Sequence, residues 1–152
     1  MEYREPVLNS IVSTVMNTDP AFTKNTQWKN VQVAVATVLL NFSALLIKSP
    51  AVATVDFKSS LVSTISSVLT SLRDDEALFR TLAAIGTLMS DEESRALACS
   101  LDLNLAIENL QNISGKVGEC ARQVVAIFWY YLIKVNTQWN TFLLKFAMEY
   151  VN

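Results

Sequence analysis

Histidine is absent from this 152-residue chain. That removes imidazole general acid–base chemistry, Ser-His-Asp and Cys-His nucleophiles, and histidine metal ligands together. Glycine and proline are scarce, at three each, which argues against a fold of many short strands and turns. The two cysteines, Cys99 and Cys120, match neither a C-x-x-C pair nor a zinc spacing. Both sit in apolar helical patterns and read as buried free thiols of a reducing compartment. A basic excess is also missing. Twelve Lys and Arg face 14 Asp and Glu, a net charge of -2, so the electrostatic footprint of a nucleic-acid binder is not there. Charged residues are only 17% of the chain, and no Gly-rich phosphate loop occurs. Composition therefore points away from an enzyme and towards a binding module without metal or cofactor.

What is abundant is apolar: 51% of residues, enough for a large core in one domain. The N-terminal residues lead into no apolar signal core. Val7, Leu8, Ile11, Val12 and Val15 recur at helical spacing behind Pro6. Residues 18–27 are polar, contain Asp19-Pro20, and read as a loop. Trp28 to Ile47 is a long apolar run stopped at Lys48-Ser49-Pro50. Gln32, Thr37, Asn41 and Ser43 interrupt it, so the run predicts a helix covered by neighbouring helices rather than a membrane span. Residues 56–72 give the clearest amphipathic helix: Leu61, Val62, Ile65, Val68, Leu69 and Leu72 on one face, Ser and Thr on the other. Asp74, Asp75 and Glu76 open the next helix, which runs to about Met89. Ser90 and Glu93 form a capping box for a short helix to about Leu101, and Asp102 can cap another. Residues 116–133 and 137–150 predict two final helices. Phe128-Trp129-Tyr130-Tyr131 reads as packing for the end of the stack. The pattern predicts an all-α fold of about eight helices joined by short loops and stacked as in an α-solenoid.

Two constellations could bind something. Asn30, Ala34, Thr37 and Asn41 fall at i, i+4, i+7 and i+11, so polar or small groups share one face of an apolar helix. Amides there either line a groove or satisfy neighbouring loops. Arg80 is followed by Ala83, Ala84 and Thr87 on its own face. It either holds a carboxylate beside small residues or pairs with Glu76 at i,i+4. The run Asp91-Glu92-Glu93 is explained by helix capping without a metal.

Four blocks then resemble a known family in order and spacing. Residues 29–43, K-N-V-Q-V-A-V-A-T-V-L-L-N-F-S, resemble the K-N-I-x-I-A-L-A-T-L-x-L-N-Y-S segment of PUL domains. Residues 79–89, F-R-T-L-A-A-I-G-T-L-M, are similar to their F-R-x-L-V-A-L-G-T-L segment. Residues 96–101 (A-L-A-C-S-L) and 115–122 (G-K-V-G-E-C-A-R) continue the match. These are the C-terminal domains of phospholipase-A-two-activating proteins and their fungal counterparts. The resemblance covers about residues 5–132 and implies an armadillo-like, right-handed helical solenoid. Its concave groove would bind the acidic C-terminal tail of valosin-containing protein, the ubiquitin-selective AAA ATPase.

In that reading the chain is an adaptor linking the ATPase to ubiquitin-dependent degradation in the cytoplasm and nucleus. It has no nucleic-acid or membrane partner, and its exposed solenoid end invites self-association. Arg80 matches the family's groove arginine, and Asn30 and Asn41 match asparagines of the groove-forming helices. Thr37, Lys29 and Thr87 lie in the same two motifs. A PUL domain is longer than this chain, so residues 1–133 look like its C-terminal portion, and 134–152 form a helical tail beyond the match. The alternatives are a helical scaffold whose truncated groove no longer binds the tail, and an accessory domain of a ubiquitin or SUMO thiol peptidase.

Overall fold

A computed structural model describes residues 4–16 and 26–150. Residues 18–25 of the loop expected over 18–27 lie outside the described residues. Seven α-helices follow one another among those described: α1 (Arg4–Met16), α2 (Thr26–Lys48), α3 (Val55–Leu69), α4 (Asp75–Leu88), α5 (Glu92–Ser100), α6 (Leu103–Glu108) and α7 (Lys116–Tyr150), with a 3-10 turn over Pro50–Val52. No strand occurs among the described residues.

The packing is that of a two-layer solenoid. α1 packs on α3 and α3 on α5, while α2 packs on α4 and α4 on α7; α6 bridges α5 to α7. Within each layer successive helices touch, α1–α3–α5 in one and α2–α4–α7 in the other, as in a stack of helix pairs. The apolar stripe of α3 lies between the layers. Leu61, Val62, Ile65, Val68, Leu69 and Leu72 are all buried, with Leu39 of α2 and Leu82 and Ile85 of α4. The fold class is therefore all-α, as the pattern predicts, and consistent with the armadillo-like solenoid that the resemblance implies.

Local chemistry sets the helix starts. Thr54 Oγ1 accepts from Phe57 N at 3.2 Å to cap α3, and Asp74 Oδ1 accepts from Ala77 N at 3.0 Å to cap α4. Each satisfies an amide that the helix itself leaves open. The capping box expected at Ser90 is displaced by one residue. Asp91 is the cap of α5, accepting from Ser94 N at 2.9 Å and Ser94 Oγ at 2.7 Å. Glu93 does not reach back, because it binds Lys58 Nζ at 2.9 Å. Asp102 does not cap α6 with its side chain: its backbone is left-handed, φ 53°. The final two helices expected are one continuous helix, since no Gly or Pro interrupts the chain beyond Gly118.

Entry to α7 depends on two glycines. Gly115 takes φ +81°, a region costly for residues with a Cβ, and a Cβ on Gly118 would stand 1.8 Å from the Ile113 carbonyl oxygen. The aromatic run divides. Phe128 is buried, Tyr131 is half-buried under Arg95, whose guanidinium sits 3.5 Å from the ring centroid, and Trp129 and Tyr130 are exposed. α2 is long and apolar enough by length and composition to cross a membrane, and a third of its most apolar window is buried. It is flanked rather than surrounded by helices, so its groove face stays open.

Candidate peptide-binding face

α2, α4 and α7 lie side by side, and their outward surface collects both constellations. On α2, Asn30, Ala34 and Asn41 are exposed and Thr37 is half-buried. On α4, Glu76, Arg80, Ala83 and Thr87 fall at i, i+4, i+7 and i+11, all half-buried. Ala84, expected to leave room beside Arg80, is instead fully buried in the core. The small residues on the outward surface are Ala34 on α2 and Ala83 on α4. The amides of Asn30 and Asn41 face solvent. The amide that satisfies a loop is Gln32, buried on the opposite side of α2: its Oε1 accepts from Arg73 N at 2.7 Å and Asp74 N at 3.1 Å.

Arg80 is the point where the two stripes meet. Its Nη1 donates to Thr37 Oγ1 at 2.6 Å, and its Nε donates to Glu76 Oε1 at 2.8 Å. The Thr37 hydroxyl donates its own proton to the Val33 carbonyl at 2.7 Å, which turns a lone pair towards the guanidinium. Of the two readings left open by spacing, the pair with Glu76 is present, and Arg80 also donates across to α2.

Lys116 joins them from α7. Its ammonium pairs with Glu76 Oε2 and lies 4.7 Å from the centroid of the Phe79 ring. Sequence reasoning missed Lys116 as a site residue. The available signal was a cation at the first position of a helix, where the macrodipole disfavours it and an outside partner must compensate. The hydrogen bond from Lys116, then that from Arg80, lowers the Glu76 carboxyl from 4.5 to about 2. At neutral pH the trio is two cations around one carboxylate, a net positive centre. Lys29 lies at one end of the face, 3.7 Å from Asp74 Oδ2 and largely exposed. Thr87 lies two turns along α4 from Arg80, with its hydroxyl donating to the Ala83 carbonyl at 2.8 Å. Beyond it a cleft of about 420 Å³ opens between α4 and α7, lined by Gly86, Met89, Ile127 and Tyr130.

The cysteines add no reactive centre. Cys99 and Cys120 are free and half-buried, rather than fully buried, and burial pushes both thiols above their ordinary values. A raised thiol is a poor nucleophile at neutral pH. What this face offers is donors, one guanidinium and shallow relief, the equipment for holding an extended polar ligand.

The family model for the PUL domain matches residues 1–123. The chain belongs to the PUL domain family. Phospholipase A-2-activating protein of Xenopus laevis is 39% identical over 97 residues, which cover 62% of this chain and 12% of that protein. PUL domains are protein-interaction modules, and both motif-bearing helices, α2 and α4, lie inside the matched residues.

Proposed function

We propose that this PUL domain is an adaptor that binds the acidic C-terminal tail of valosin-containing protein through the α2–α4–α7 face and so couples the ATPase to ubiquitin-dependent degradation. The observation that carries this reading is the position of Arg80. Two hydrogen bonds hold the guanidinium on the outer face, its side chain is 36% exposed, and the small residues Ala34 and Ala83 lie on that face. Asn30 and Asn41 stand at the two ends of the α2 stripe, where each can give a carbonyl and an NH2 to a peptide backbone.

The test is a titration of the 152-residue chain with that tail peptide at one fixed salt concentration. Arg80→Ala is expected to weaken binding about tenfold or more, the effect of losing a charge-assisted hydrogen bond of about 1.5–3 kcal/mol. Lys48→Ala, at the exposed C-terminus of α2, serves as the control. Arg95 is unsuited to that role, because it donates to the Met89 carbonyl and covers Tyr131. Equal affinities for wild type and Arg80→Ala, with the helical spectrum unchanged, would sink the reading. A second reading, a helical scaffold that does not bind the tail, is favoured by the engagement of Arg80 with both Glu76 and Thr37. Absence of saturable tail binding to the wild type would select it.

A further inference from the structure

We infer that Glu76 is a built-in competitor for the groove: its carboxylate occupies the side-on edge of the Arg80 guanidinium, one of the two edges through which an acidic ligand can bind with parallel hydrogen bonds, and yields that edge by remaining on Lys116. The inference rests on the reading of Arg80 as an anion-binding residue and adds how that residue is controlled.

A guanidinium binds a carboxylate with two parallel hydrogen bonds either side-on, through Nε and one terminal nitrogen, or end-on, through both terminal nitrogens. In this structure Nη1 is engaged by Thr37 and Nε by Glu76. Nη2 carries no hydrogen bond to a described residue. Three N–H groups stay open, one on Nη1 and two on Nη2, but the single N–H of Nε is taken, so side-on binding of an arriving carboxylate requires Glu76 to leave.

Thr37 accepts from Nη1 and does not block that edge. Its hydroxyl is oriented by the bond to Val33 O, and it sits where α2 packs on α4. Glu76 can leave readily. Its side chain is a third exposed, and its second oxygen already accepts from Lys116 Nζ. Releasing Arg80 leaves the carboxylate paired with an ammonium that Phe79 also supports. No charge is stranded by the exchange, so a ligand carboxylate can replace Glu76 on the Nε–Nη2 edge. The site thereby discriminates. A neutral peptide gains nothing from displacing Glu76, whereas an acidic peptide ending in a carboxylate exchanges one ion pair for another with two parallel bonds.

The experiment is fluorescence anisotropy on the 152-residue chain. The probe is a labelled synthetic peptide of aspartate and alanine with a free C-terminal carboxylate, and the neutral control is its asparagine counterpart with an amidated terminus. Glu76→Gln keeps an acceptor for Arg80 but removes the competing charge. It is expected to tighten the acidic peptide by about three- to tenfold and to leave the neutral peptide unchanged. Asp75→Asn, an exposed neighbour, controls for net charge and is expected to give a smaller gain. In the Arg80→Ala background the gain from Glu76→Gln is expected to vanish. No gain, or an equal gain with and without Arg80, overturns the competitor role, while tighter binding by wild type than by Arg80→Ala preserves the groove reading. Equal binding by wild type and Arg80→Ala overturns both.

Discussion

Arg80 on α4 donates a 2.6 Å hydrogen bond from Nη1 to Thr37 Oγ1 on α2, joining residues 43 positions apart. This bond places the guanidinium on the outer face instead of letting it follow its helix into solvent. It also makes Thr37 a positioning residue, since the hydroxyl takes one of the two N–H groups of Nη1 and so fixes how the guanidinium is turned.

The bond is measurable as a coupling. Thr37→Val removes the acceptor at nearly constant volume, and Arg80→Gln shortens the donor and removes its charge. A double-mutant cycle in urea is expected to give a coupling of about 0.5–1 kcal/mol, because the pair is partly exposed. Thr37→Ser is expected to retain it. A coupling indistinguishable from zero would show that the contact is incidental to the position of Arg80.

Gln32 is expected to matter more for stability than any residue of the groove. It is buried, and its Oε1 is the acceptor for two consecutive amides, Arg73 N and Asp74 N, in the turn that leads into α4. Gln32→Leu leaves those donors without this partner, at a cost of about 1–3 kcal/mol. Chemical denaturation of the variant checks this. An unchanged midpoint would mean that water takes over both donors.

Such contacts mark where sequence reading reaches its limit. The α3 stripe, the exposed stripe of α2 and the i,i+4 pairing of Arg80 with Glu76 were legible because each depends on spacing within one helix. Gln32 lay on the buried stripe with Val35, Ala36 and Leu39, and a lone amide there signalled a distant partner without naming it. Lys58 was invisible as a core residue. It is buried because Asp91 and Glu93 meet it at 3.0 and 2.9 Å from α5, and that tertiary pairing also takes Glu93 away from the capping box. α7 was divided at 134–136 because a polar patch resembles a loop, yet polar residues alone do not stop a helix that lacks Gly and Pro.

The turn into α7 yields a prediction independent of ligands. A methyl on Gly118 would stand 1.8 Å from the Ile113 carbonyl oxygen, a backbone atom that cannot rotate away. Gly118→Ala is expected to destabilise by about 1–3 kcal/mol, as overpacking does. Gly115→Ala meets no neighbour within 4 Å but sits at φ +81°, and is expected to cost about 1–2 kcal/mol. Thermal melts of both variants test the assignment. Equal melting temperatures for Gly118→Ala and wild type would contradict the close approach.

Dependence on pH separates two ion-pair clusters. Glu76 is lowered from 4.5 to about 2 by Lys116 and then Arg80. A carboxyl depressed in the folded state contributes stability that is present above its unfolded value and lost as pH falls through its folded value. Its share therefore disappears between about 4.5 and about 2. Lys58 moves the other way. The hydrogen bond to Glu93, against the opposing effect of burial and with help from Asp91, raises it above 10.5. A raised cation contributes stability that is complete below its unfolded value and lost as pH rises through its folded value, so this share disappears above 10.5. Urea midpoints across the pH range are expected to be flat around neutrality and to fall at both extremes. Glu76→Gln is expected to shallow only the acid limb, and Lys58→Met the alkaline one together with the part of the acid limb that Asp91 supplies through Lys58. The two clusters use different helices, α4 with α7 and α3 with α5, so the effects are expected to add in the double variant. If Glu76→Gln left the acid limb untouched, the carboxylate would not be held by Lys116 and Arg80 in solution, and its competition for Arg80 would fall with it.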